Sequence, residues 1–110
     1  MRIVLASAAL FLALAAPASA DVLVNAPKRA ISCGDTIELG VWYRDFPTTG
    51  HRRTTVEVLS ARGFVLSKRT LDAPAEWKFW HYKPRCGRHY TARYITYRGT
   101  DDFRVRVRAG

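Results

Sequence analysis

The sequence predicts an all-β protein, a seven-stranded antiparallel β-sandwich preceded by a cleavable signal helix, and three observations predict it. Hydrophobic alternation with period two recurs from residue 22 to the end of the chain, the pattern of strands that bury one face. Turn signals built on Gly, Pro and Asp interrupt that alternation at short intervals, which argues for two packed sheets rather than βαβ units. No stretch after residue 20 has a helical period, whereas the first 20 residues carry the three-part pattern of an export signal.

In that leader, Met1-Arg2 is a short positive region and residues 3–16 are apolar except for Ser7. Pro17 breaks the run, and Ala18-Ser19-Ala20 places small residues where a signal peptidase reads them, leaving Asp21 as the new N-terminus. The competing reading is an uncleaved anchor. A spanning helix needs about 20 apolar residues, and this run is shorter and ends on an A-x-A site. The expected organisation is therefore a signal peptide over 1–20 and one domain over 21–110, secreted or periplasmic, with no transmembrane segment in the mature part.

An exported chain of this size gains from a covalent constraint, and it holds two cysteines, Cys33 and Cys86. In an oxidising compartment an even pair is most simply a disulfide, the alternatives being free thiols or an intermolecular bridge. Closing a loop of about 54 residues is worth on the order of 4 kcal/mol in the chain-entropy picture. Two distant cysteines lack metal-ligand spacing, so no metal and no cofactor is expected.

The elements follow in order. Residues 22–24 form a short first strand, closed by Asn25-Ala26-Pro27. Residues 36–43 place Ile37, Leu39, Val41 and Tyr43 on one face, and the Pro- and Gly-bracketed segment 45–50 is a loop. Residues 54–60 carry Val56 and Val58 inward and Glu57 outward, Ala61-Arg62-Gly63 turns the chain, and 64–70 returns with Phe64 and Leu66 as the expected core pair. After the break at 72–74, residues 76–82 form an aromatic strand in which Trp77 and Phe79 are expected to fill the core, leaving Trp80 and Tyr82 outward. Residues 89–97 form the next strand and 98–101 a hairpin. The last strand, 103–108, alternates Phe103, Val105 and Val107 with Arg104, Arg106 and Arg108.

Cys86-Gly87-Arg88-His89-Tyr90 resembles the opening of strand F in immunoglobulin-like and fibronectin-III-like domains, where a Tyr shortly after a Gly forms a tyrosine corner. Gly34-Asp35-Thr36-Ile37-Glu38-Leu39 is similar to the turn into strand B of bacterial immunoglobulin-like modules. The resemblance implies an immunoglobulin-like sandwich in which strands B and F begin at the same end. Cys33 and Cys86, each just before its strand, would then lie together.

Function is carried by charge more than by chemistry. The chain has 18 Lys and Arg against 9 Asp and Glu, a net +9. The leader holds only Arg2, so residues 21–110 carry 17 against 9, a net +8. Arg104, Arg106 and Arg108 repeat about every 6.6 Å along one strand face, and Arg93 faces the same way on the neighbouring strand. Guanidinium forks on such a face bind phosphate, sulfate or carboxylate polymers bidentately. The plainer reading is solubility, since arginines on a terminal strand also block edge-to-edge pairing. Trp80, Tyr82 and Tyr97, with Trp42, form a second candidate surface, an aromatic patch for a protein or a sugar ring. Catalysis has little support: the serines lack a nucleophile-elbow context, and His51, His81 and His89 lack metal spacing. The expectation is a non-enzymatic binding module for an anionic envelope polymer or an acidic protein, with nucleic acid disfavoured by compartment. An aromatic interaction module or a structural secreted protein is the alternative.

Overall fold

The computed structural model describes residues 21–44, 53–72 and 76–110. The signal segment 1–20, the loop expected at 45–50, His51 and most of the break at 72–74 lie outside the described residues. Within them the alternation resolves into β1 (Asp21–Val24), β2 (Ala30–Ile31), β3 (Ile37–Arg44), β4 (Arg53–Ser60), β5 (Val65–Asp72), β6 (Lys78–Tyr82), β7 (His89–Thr96) and β8 (Gly99–Val107). Two sheets result, a three-stranded one in the order β1-β3-β6 and a five-stranded one in the order β2-β8-β7-β4-β5. The described residues contain no helix. The all-β, two-sheet expectation holds.

The strand count was expected to be seven and all antiparallel; the described residues contain eight, and β2 pairs β8 in parallel. After Val24 the chain leaves the first sheet and crosses to the second. There the Arg106 N–H donates to the Arg29 carbonyl at 2.7 Å and the Arg108 N–H to the Ile31 carbonyl at 2.9 Å. A two-residue strand has no period to read, which is why alternation missed it.

The core lies between the sheets. From β3, Ile37, Leu39, Val41 and Tyr43 point inward as expected, and Val56, Val58, Tyr90, Ala92, Tyr94, Val105 and Val107 meet them from the other sheet. Two tyrosines tie the layers. The Tyr94 hydroxyl on β7 accepts from the Gly40 N–H at 2.9 Å and donates to the Asn25 carbonyl at 2.8 Å. The Tyr43 hydroxyl on β3 donates to the Arg53 carbonyl at 2.9 Å and lies 2.7 Å from the buried Thr54 hydroxyl.

Two inward assignments are reversed. On β6 and just before it, the expected core pair Phe79 and Trp77 is exposed, Phe79 by 49%, while Trp80 is only 8% exposed and Tyr82 is half-buried. Register explains it: Trp80 sits opposite the fully buried Leu39, and Phe79 opposite Gly40 on the outer face. The Phe79 ring packs against Gly40, where a Cβ would come within 2.5 Å of it. Phe64, just before β5, and Leu66 on it are exposed, and the inward set of β5 is Ser67, Arg69 and Leu71, opposite Val58, Val56 and Thr54. Three strands cannot cover five, so β5 overhangs. Arg69 caps the gap, its guanidinium carbon 5.2 Å from the centroid of the Trp80 ring.

Cys33 and Cys86 form the expected disulfide, with Cα atoms 4.9 Å apart. They staple the turn before β3 to the loop before β7, and so fix one end of the molecule. At that end β4, β6 and β8 finish and β3 and β7 begin.

Candidate functional site

The outer face of the five-stranded sheet carries Arg104 and Arg106 of β8, both exposed, and Arg108 follows just beyond the strand. Arg93 of β7 shares that face but not that state. It stands opposite Asp102 in register, and its Nε and Nη2 donate to the two carboxylate oxygens at 2.8 and 2.9 Å. The row continues across the sheet, with Glu57 opposite Arg93 and Lys68 opposite Glu57. Charge therefore alternates over four strands, Asp102, Arg93, Glu57, Lys68. The Arg93 hydrogen bond holds the Asp102 carboxyl below its usual range, and Asp102 in turn raises Arg93. Arg93 is thus committed to an internal pair and does not extend the free arginine face expected from the sequence.

Three further acids are ion-paired elsewhere. Asp72 pairs with Arg53, Glu38 lies against His81, and Asp21 pairs closely with Arg98 of the β7–β8 turn. Among the described residues no carboxylate forms an ion pair with Arg62, Arg85, Arg88, Arg104, Arg106 or Arg108.

Those arginines gather toward the disulfide end. A groove of about 660 Å³ opens there between the β4–β5 turn and the β6–β7 loop, lined by Arg62, Arg85, Arg88, His89, Tyr82 and Leu66 among others, with no acidic residue among the described residues of its wall. The loop is held in place by the Arg85 N–H donating to the Tyr90 hydroxyl at 2.8 Å and the Gly87 N–H donating to the Val107 carbonyl at 3.0 Å. Gly87 takes a φ of 75° there, a conformation that favours glycine. His89 stands opposite Arg106, so the groove runs into the β8 arginines. Sequence reasoning missed this cluster because it is assembled from two turns. The signal it left was Arg85-Cys86-Gly87-Arg88-His89, three cationic-type residues around a cysteine. A second cleft of about 430 Å³ lies beside the β1–β2 crossover and is mixed in charge, with Lys28, Asp35, Glu38 and His81 in its wall.

No family model matches the chain, and no curated protein does. Among solved structures it is similar to a mutant β-glucosidase from Listeria innocua in complex with laminaribiose, with a TM-score of 0.51 at 12% identity. That match covers 79% of this chain and 16% of the glucosidase chain. At such identity the likeness is one of fold, and this chain spans only a small part of the larger enzyme's length.

The aromatic patch expected from Trp80, Tyr82 and Tyr97 is not assembled. Trp80 and Tyr82 meet edge to face in the interior, and Tyr97 lies in the β7–β8 turn at the opposite end, stacked on Tyr43. The outward aromatics are instead Trp42, Trp77 and Phe79 on the three-stranded sheet, with ring centroids 5.7 and 5.6 Å apart in sequence along the strip. Among the described residues no cluster of three or more His, Cys, Asp or Glu is arranged to hold a metal, and no helix is long and apolar enough to cross a membrane.

Proposed function

We propose that this protein is an exported, non-enzymatic binding module that docks its arginine-rich surface on an anionic component of the cell envelope or on an acidic partner. The observation that carries the reading is the pairing pattern: among the described residues the ion-paired acids engage Arg53, His81, Arg93 and Arg98, and none forms an ion pair with Arg104, Arg106 or Arg108. Solubility alone does not require the free arginines to collect at one end. Export is part of the same proposal, supported by the leader pattern and by the disulfide, which persists in oxidising compartments. An immunoglobulin-like topology is proposed with it. Its support is the N-terminal segment shared between a three- and a five-stranded sheet, and the Tyr90 hydroxyl bonded to backbone five residues upstream, as in a tyrosine corner.

The test is binding of the oxidised protein to isolated cell envelopes across a salt series. Exposed charges interact over a Debye length of about 8 Å at physiological salt, so binding should fall steeply as salt rises, and further when Arg104, Arg106 and Arg108 are changed together to Gln. A second reading is favoured by the Trp42, Trp77 and Phe79 strip, which suits stacking on a sugar ring or a protein partner. Binding that ignores salt but is lost in Trp77→Ala would establish that reading instead.

A further inference from the structure

The β4–β5 turn presents two kinds of surface side by side. It is a tight structure: the Ser60 N–H donates to the Phe64 carbonyl at 2.8 Å, the Gly63 N–H to the Ser60 carbonyl at 2.9 Å, and Gly63 adopts a φ of 90°. The turn therefore holds Arg62 at its tip and Phe64 directly after it. Phe64, Val65 and Leu66 are 66%, 51% and 48% exposed, three consecutive large apolar side chains opening an edge strand. A bare apolar edge is an aggregation hazard, and a contiguous exposed apolar group rimmed by polar residues marks an interaction surface. The rim here is the acid-free groove with Arg62, Arg85, Arg88 and His89 in its wall, and Leu66 belongs to both surfaces.

We propose that this end of the molecule docks on an anionic lipid bilayer, with Arg62, Arg85 and Arg88 receiving lipid phosphates and Phe64, Val65 and Leu66 entering the boundary of the acyl region. The proposal rests on the reading above that the basic surface binds anions, and it names the partner. Charge complementarity accounts for the arginines with any polyanion, because guanidinium forks fit phosphate oxygens. The apolar trio discriminates. A hydrated polymer leaves it in water, whereas a bilayer offers phosphates and apolar depth within about 5–10 Å of each other. Arg106 and Arg108, at the same end, add attraction to a negative surface.

The experiment is co-sedimentation of the full oxidised protein with vesicles of phosphatidylglycerol and phosphatidylcholine, compared with phosphatidylcholine alone, and in parallel its binding to soluble polyphosphate. Binding is expected only where the anionic lipid is present. Arg62→Gln and Arg88→Gln should each lower the partition coefficient about fivefold. Phe64→Ser should lower it about tenfold on vesicles and leave polyphosphate binding unchanged. Phe64 is outside the core, so the near-ultraviolet circular dichroism of that variant should match the parent, and Val65→Ser, 51% exposed and not part of the groove wall, supplies the same readout if it does not. Vesicle binding that is indifferent to both apolar substitutions would overturn the proposal. Polyphosphate binding without vesicle binding would overturn it too while leaving the anion-binding reading intact; binding to neither would remove both.

Discussion

Tyr94 reaches across the interior from one sheet to the other, taking the Gly40 N–H and giving its own proton to the Asn25 carbonyl. Burial pushes its phenol well above the ordinary range, so it stays neutral wherever the protein is folded. In Tyr94→Phe those two backbone groups lose their partner in a dry interior. The cost should be about 1–3 kcal/mol, lowering Tm by about 5–15 °C in thermal denaturation; an unchanged Tm would mean that water takes the hydroxyl's place. Asp102 acts at the surface and its effect depends on pH. Its folded pKa lies below the unfolded value of about 3.9 because of Arg93. The pair's stabilisation is thus complete above that unfolded value and is lost as pH falls through the folded one. The Tm of Asp102→Asn should sit slightly below the parent at pH 7, and the gap should close as the pH falls through the lowered folded pKa of Asp102. It should be small, since both side chains keep contact with water. A gap that widened on acidification would contradict the assignment.

At the level of strands, what could be read from the sequence depended on whether a strand's own pattern decided its facing. β3 and β8 were legible because each alternates apolar with polar residues, so only one face can be buried. β6 was not, because Trp77 and Phe79 compete with Trp80 and Tyr82 and both faces look apolar. The register with β3 breaks that tie, by setting Phe79 over a glycine and Trp80 beside Leu39. The dependence can be measured. Gly40→Ala puts a methyl within 2.5 Å of the Phe79 ring and should cost about 1–2 kcal/mol. In a Phe79→Ala background the same change should cost nothing or stabilise, because alanine then only restricts the unfolded chain. Equal costs in both backgrounds would show that the ring moves aside freely. β5 failed for a different reason. Its facing follows from the overhang of five strands beyond three, a property of the assembly that no local pattern contains. The candidate site divides in the same way: Arg104, Arg106 and Arg108 lie on one strand and were visible, while the groove joins turns that meet only after folding. Arg93 lies on the outer face its alternation implies, but its partner Asp102 falls between the expected hairpin at 98–101 and the expected strand at 103–108, because the last strand begins at Gly99.

For the molecule as a whole, the disulfide is the largest single constraint, closing a separation of 53 residues. Reducing it, or replacing Cys33 and Cys86 by Ser, should remove on the order of 4 kcal/mol and lower Tm by about 15–30 °C. An unchanged transition would place the stability in the sandwich core alone. The bridge also has a mechanical meaning. β1 begins at the end of the sandwich opposite to the one where β8 finishes, so a pull between the ends of the described chain loads it along the strands. Residues 33–86 are locked and cannot pay out. Only the 36 residues outside the bridge, 21–32 and 87–110, can extend, to a full length of roughly 125 Å. Under tension the folded chain is therefore a short tether with a hard stop, and cutting one covalent bond would more than double its reach.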